Sequence, residues 1–253
     1  MSLDFDKINK IAIDAGRAII KIYNDPENSS VVDFKPDNSP LTLADKASHE
    51  VIVEAISKAY PEIPLLSEEG EDIKYSTRST WNRYWLIDPL DGTKEFINRN
   101  GEFTVNIALI ENRKPVFGVV YVPVTDVLYY GDSSGAFKTS EGNVHQIRVN
   151  NKGNDRIAVR SKSHASPQED TLYKQYEVTS FISVGSSLKF CMVAEGKADL
   201  YYRHGPTMEW DTGAGQAVLE AAGGRVYEGN TTKKHFRYNK EDLLNGSFLC
   251  LGF

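Results

Sequence analysis

Three short segments concentrate oxygen ligands in this chain. They are Ser67-Glu68-Glu69-Gly70, Trp85-Leu86-Ile87-Asp88-Pro89-Leu90-Asp91-Gly92-Thr93-Lys94-Glu95-Phe96 and Glu209-Trp210-Asp211-Thr212-Gly213-Ala214-Gly215. Carboxylates are the ligands that Mg²⁺ prefers, and glycine-bracketed N–H groups receive anions. Gathered by a fold, these segments would place divalent cations around a phosphate. The middle segment is the most specific. Asp88 stands at the end of an apolar run, and Pro89 fixes the turn and removes a donor. Asp91 returns three residues later, so both carboxylates can face one point, with the Leu90 carbonyl as a further oxygen ligand. Gly92 lets the backbone approach an anion closely, and the N–H groups of Gly92 and Thr93 would open a helix toward it.

Each carboxylate also has a plain structural reading. Asp88 and Asp91 could belong to an ordinary Asp-Pro turn, and Glu68-Glu69 to a solvated loop after Ile63-Pro64-Leu65-Leu66. Asp211 precedes a helix expected over Thr212–Ala222 and could be its N-cap. Asp45 follows Thr42 by three residues, as in an acidic capping box. The combination, rather than any one residue, argues for a site.

The elements that must position these groups are legible in outline. Ile8, Ile11, Ala12, Ala15, Ile19 and Ile22 recur at helical spacing, which predicts a helix over 5–23 closed by Asn24-Asp25-Pro26. Residues 26–41 read as a loop or short strands. A second helix starts near Thr42 and stops at Pro61. Strands are expected at Tyr84–Ile87, Phe103–Ile110, Val116–Val122 and Val127–Gly131, with connections short enough for an antiparallel meander. The polar run 150–154 marks a boundary between 1–150, an α+β half, and 151–253, a mixed α/β half. In the second half, strands are expected at 156–160, 198–202, 225–227 and 248–251, and helices at 186–195 and 212–222.

The chain has 253 residues, enough to bury a sizeable core, and a net charge of −6. That balance disfavours a general nucleic-acid binder. It does not exclude a small anion, because a bound metal inverts the local charge. Cys191 and Cys250 stand in no metal-binding spacing and read as buried free thiols, and the five histidines show no zinc motif. With no signal peptide and no apolar run long enough to span a bilayer, the default expectation is a soluble intracellular protein without an integral membrane segment.

Taken together, Ser-Glu-Glu, Trp-Leu-Ile-Asp-Pro-Leu-Asp-Gly-Thr and Trp-Asp-Thr-Gly-Ala-Gly resemble the signatures of the inositol monophosphatase superfamily of Mg²⁺-dependent, lithium-sensitive phosphatases. Lys94-Glu95-Phe96 and the stretch Pro206–Asp211 are similar to its 3′(2′),5′-bisphosphate nucleotidase branch. The resemblance implies a layered αβαβα sugar-phosphatase fold of the α+β class. It implies two or three Mg²⁺ per site, one bound by Glu68, Asp88 and the Leu90 carbonyl and a second by Asp88, Asp91 and Asp211. A third, weaker ion would lie near Glu68 and Asp45. Activated water would attack in line without a phosphoenzyme, its proton passing toward Thr93 and Asp45, with Glu68 also in the catalytic set. Arg160-Ser161-Lys162-Ser163-His164 and Gly185-Ser186-Ser187-Leu188-Lys189 are similar to nucleotide-holding segments. They imply substrate contacts at Ser161, His164, Gly185 and Lys189, joined by Gly92, Thr93 and Asp211. His164 could equally be a surface-loop residue and Lys189 a solvated helix residue. Gly213 stands where many relatives carry Ala, a change expected to have little effect. The implied reaction removes the 3′-phosphate of adenosine 3′,5′-bisphosphate, giving AMP, with 3′-phosphoadenylyl sulfate as a second substrate. The alternatives are an inositol or sugar phosphate monophosphatase and, from another class, a catalytically inactive nucleotide- or metal-binding regulator. The implied setting is a cytoplasmic monomer or homodimer, with peripheral attachment to the cytoplasmic face of the inner membrane as a variant.

Overall fold

The computed structural model describes residues 3–25, 27, 31–34, 40–150, 153–160 and 167–253. The chain opens with α1 (Phe5–Tyr23), capped by the Asp4 side chain on the Lys7 N–H. A short hairpin, β1 (Val32–Phe34) and β2 (Pro40–Thr42), leads into α2 (Leu43–Ala59). Thr42 and Asp45 form a reciprocal capping box at the start of α2, which joins two otherwise unpaired helix-end donors to side-chain oxygens. β3 (Leu65–Ser67) and the single turn α3 (Tyr75–Arg78) precede β4 (Arg83–Asp91), α4 (Thr93–Ile97) and β5 (Thr104–Glu111). β6 (Lys114–Val122), β7 (Val127–Asp132), β8 (Gly135–Ser140) and β9 (Asn143–Ile147) complete a seven-stranded sheet in chain order, antiparallel except between β3 and β4.

The second part carries β10 (Arg156–Arg160), α5 (Pro167–Gln175), β11 (Val178–Ser183), α6 (Leu188–Ala194), β12 (Leu200–Arg203), β13 (Thr207–Met208), α7 (Trp210–Ala221), β14 (Arg225–Glu228), β15 (Leu244–Asn245) and β16 (Phe248–Leu251). Five of its strands form a mixed sheet in the order β11-β10-β12-β16-β14.

Alternation along β4 sorts the layers. Trp85 and Ile87 pack with α1 and α2, whereas Tyr84 and Leu86 pack with residues of α6, α7 and the five-stranded sheet. Both faces of β4 are therefore apolar, which is why it reads as a continuous run. Leu172 and Tyr173 of α5 cover the outer face of the smaller sheet against Ala158, Leu200 and Leu249. The result is the αβαβα stack: α1 with α2, the large sheet, α6 with α7, the small sheet, and α5. Helix α7 lies directly on the large sheet because Gly118 presents no side chain. A Cβ there would sit 2.4 Å from the Ala214 carbonyl oxygen. Gly213 faces the same sheet, and a methyl group would come within 2.9 Å of the Leu86 side chain. An alanine there therefore requires Leu86 to move, a tighter fit than the sequence suggests.

Eight elements, β3, α3, β8, β9, α5, β11, β13 and β15, have no counterpart in the sequence-based expectations. β9 is largely exposed and polar, and α5 buries only a narrow stripe, so neither carries the periodicity that marks a core element. Cys191 and Cys250 are buried free thiols, as expected.

Candidate metal centre and adjoining cleft

Strand β4 delivers the first two acids, and its irregularity is what brings them together. Asp88 pairs with Asn106 and Asp91 with Thr104, so three steps along β4 match two along β5. The extra residue is a bulge. In an unbroken strand, residues three apart point to opposite faces; the bulge returns Asp91 to the side of Asp88. Pro89 suits the break because it has no N–H to leave unpaired. Its freed carbonyl accepts the Ser48 hydroxyl at 2.7 Å, and the Leu90 N–H donates to Asp88 Oδ1 at 3.1 Å. β4 thus continues through the motif instead of ending at Ile87.

Glu68 follows β3, which runs parallel to β4, and its N–H donates to the Ile87 carbonyl beside Asp88. Asp211 arrives on α7. It is not the N-cap: that position is Glu209, and Asp211 lies in the first turn, where its Oδ2 accepts the Met208 N–H at 2.9 Å. The helix starts two residues earlier than its apolar pattern indicates, because Glu209 is anchored from outside the helix. Its buried carboxylate accepts the Asn239 N–H at 2.7 Å, the Lys240 N–H at 2.9 Å and Lys240 Nζ at 2.7 Å.

One oxygen from each of Glu68, Asp88 and Asp211 lies within 4.8 Å of the others. Burial pushes the Asp88 carboxyl well above its usual range, and the charges of Glu68, Asp91 and Asp211 push it further. Asp211 is raised by burial, then by Asp91 and Glu68. Closely spaced, buried or partly buried carboxylates without a compensating cation are an unfavourable arrangement that a hard divalent ion relieves. The donor set therefore fits such an ion. Asp91 stands beside the trio, with its Oδ2 accepting the Ser187 N–H at 2.6 Å and Asn106 Nδ2 at 3.3 Å. Sequence reasoning passed over both partners. The Ser187 hydroxyl donates to the Asp211 carbonyl at 2.8 Å and receives Asn106 Nδ2 at 2.9 Å, so one buried serine joins Asp91 to Asp211.

Gly92, with φ of +96°, heads α4 and turns the chain from Asp91 to Thr93. The Thr93 hydroxyl donates to Asp45 Oδ1 over a long 3.4 Å, while Asp45 Oδ2 is held by the Thr42 N–H and hydroxyl. Asp45 is thus both a capping-box residue and a neighbour of Thr93; the two readings coexist.

A cleft runs from Asp91, Gly92 and Asp211 to Lys189 and Arg203, bordered by Lys94 and Glu95. Lys189 is buried, not solvated. Two of its three donors are engaged by the Ser186 carbonyl at 2.8 Å and the Val184 carbonyl at 3.3 Å, and burial lowers its pKa to about 8. The Gly185 N–H is taken by Glu102 Oε2 at 2.8 Å. Arg203 was not singled out in the sequence. It stands at the end of β12, and its Nε is shielded from solvent with no hydrogen-bond partner among the described residues. Its sequence signal was only a cation eight residues before Asp211. Ser161 and His164 lie outside the described residues.

Residues 4–250 match the sequence profile of the inositol monophosphatase family. The 3′(2′),5′-bisphosphate nucleotidase CysQ of Escherichia coli K12 is 48% identical over 223 residues, covering 88% of this chain and 89% of that protein. The protein of the same name from Haemophilus influenzae is 35% identical over 250 residues, covering 96% and 90%. The crystal structure of CysQ from Bacteroides thetaiotaomicron superposes with a TM-score of 0.84 at 44% identity, covering 98% of this chain and 97% of that one. The chain belongs to the inositol monophosphatase family.

Proposed function

We propose that this member of the inositol monophosphatase family is a metal-dependent 3′(2′),5′-bisphosphate nucleotidase that hydrolyses adenosine 3′,5′-bisphosphate to AMP and phosphate. The observation that carries the reading is the two-ended cleft, with clustered carboxylates at one end and Lys189 and Arg203 at the other. A monophosphate needs only the first end. A substrate with two phosphates uses both, and 3′-phosphoadenylyl sulfate offers the same two anionic groups.

Glu68, Asp88, Asp91, Asp211 and the Leu90 carbonyl are the oxygens that would hold Mg²⁺, two ions with a third near Glu68 and Asp45. When bound, the ions neutralise phosphate charge, acidify water and stabilise the leaving oxygen. The Thr93 hydroxyl, by donating to Asp45, keeps its own lone pairs available to accept a proton from water. Asp45 in turn holds that hydroxyl in place, since its other oxygen is fixed by the capping box. Lys189 retains one donor for a second phosphate, and Arg203 supplies a guanidinium whose planar fork matches phosphate oxygens. The buried walls around both cations strengthen each contact. No helix among the described residues is long and apolar enough to cross a membrane; we place the enzyme in the cytoplasm, where nucleotide substrates occur.

The test is phosphate release from a panel of 3′-phosphonucleotides and inositol phosphates, with and without Mg²⁺. Preference for the bisphosphate nucleotides, lost in Lys189→Ala and Arg203→Ala, is the expected result. Equal turnover of inositol monophosphate would overturn the substrate assignment, and release without any divalent ion would overturn the metal centre.

A further inference from the structure

A second cleft, about 820 Å³, opens between the β5–β6 turn and the 228–247 segment. It shares no lining residue with the cleft that holds Asp91 and Asp211. Its charged lining is Arg113, Lys234, Arg237 and Lys240 against Glu228 alone, in a chain whose net charge is −6. Two of these cations are already neutralised: Lys234 pairs with Glu228 at 2.5 Å, and Lys240 with Glu209 at 2.7 Å. The two arginines have no carboxylate partner among the described residues. Arg113 Nε donates to the Tyr238 carbonyl at 3.0 Å, which fixes the guanidinium while its remaining donors have no other partner among the described residues. Arg237 is half-buried and has no hydrogen-bond or ion-pair partner among the described residues. Ser247 adds a hydroxyl to the same wall.

We propose that this cleft is a second ligand site, selective for a small anion bearing at least two phosphoryl groups. Guanidinium groups bind phosphate oxygens as planar forks, and two such forks without carboxylate partners match two phosphoryl groups rather than one. Concavity favours a small molecule over a duplex, and the acidic remainder of the surface repels an extended polyanion. The site is independent of the hydrolytic reading, because none of its residues takes part in the metal centre.

The probe is inorganic pyrophosphate, titrated calorimetrically into the full chain in EDTA. Without divalent ions the carboxylate centre repels the probe. The expected result is one saturable site that weakens with added salt. Arg237→Gln weakens it at least tenfold, Arg113→Gln/Arg237→Gln more, and Lys189→Ala/Arg203→Ala leaves it intact. Arg237→Gln carries the decision because its side chain has no hydrogen-bond or ion-pair partner among the described residues to lose, and an unchanged melting temperature verifies its fold. Basal nucleotidase turnover of Arg237→Gln equals that of the unaltered enzyme. Absence of binding by the unaltered chain, equal binding by Arg237→Gln, or loss only in Lys189→Ala/Arg203→Ala would each overturn the proposal. Inorganic phosphate binding as tightly as pyrophosphate would overturn the two-phosphoryl assignment.

Discussion

Replacing Ser187 by alanine tests whether the buried serine sets the spacing of the proposed metal ligands Asp91 and Asp211. The substitution leaves the backbone N–H that Asp91 Oδ2 accepts at 2.6 Å, but removes the hydroxyl between Asn106 Nδ2 and the Asp211 carbonyl. The Asp211 carbonyl loses one of its acceptor interactions. Asn106 Nδ2 keeps only its 3.3 Å contact with Asp91. A buried donor left this poorly satisfied costs about 1–3 kcal/mol. The retained contact argues for the lower part of that range, about 1–2 kcal/mol. If that energy falls on the placement of Asp91 and Asp211, ion affinity weakens roughly 5–30-fold. The assay is the Mg²⁺ concentration giving half-maximal turnover, with direct Mn²⁺ titration calorimetry as a readout that needs no catalysis. A purely structural serine would lower the melting temperature and leave the Mg²⁺ midpoint where it was; that outcome refutes the reasoning. Asn106→Ala should shift the midpoint the same way, and the double variant should fall short of the sum because the two side chains form one network.

Three further outcomes follow from the same structure. Asp88 and Asp211 keep protons in the folded, metal-free chain above their usual value of 3.8, where the unfolded chain has released them. This penalty on the fold is absent below that value and grows as pH rises toward the raised folded pKa. Mg²⁺ should therefore raise the melting temperature more at pH 7.5 than at pH 5, and equal increments at both would contradict the crowding argument. Lys189, with its pKa near 8, should impose an alkaline fall in kcat/KM for bisphosphate nucleotides; Lys189→Met should abolish that limb and raise KM. Gly118→Ala forces a Cβ to within 2.4 Å of the Ala214 carbonyl, so α7 must lift from the sheet. A loss of roughly 1–3 kcal/mol in urea unfolding is expected, with reduced turnover because Asp211 rides on that helix.

The parts of the fold that declared themselves in the sequence are those whose determinants are local or strongly periodic. α1 carries a wide apolar stripe, α2 announces its start through Thr42 and Asp45, and β4 to β7 are apolar runs separated by turns. β8, β9, α5 and β11 lie at the periphery and bury little, so their stability comes from neighbours that no local window contains. The candidate site divides in the same way. Asp88, Asp91, Glu68 and Asp211 were visible because each stands in a short motif whose neighbours mark it. The bulge that aligns Asp88 with Asp91 was not, since it exists only relative to β5. Ser187, Asn106 and Arg203 reach the site from separate elements, and a serine, an asparagine and an arginine carry no signal until the sheets are stacked.

The crowding at Asp88 also has a consequence for how variants of this chain would fare under selection. A screen for thermal tolerance in a chelating medium would reward Asp88→Asn or Asp211→Asn, because neutral amides relieve the mutual repulsion. The same screen in millimolar Mg²⁺ would discard them. The residues most opposed to the folded state in one medium would be among its main supports in the other, so the direction of adaptation at these positions is set by the ionic composition of the surroundings.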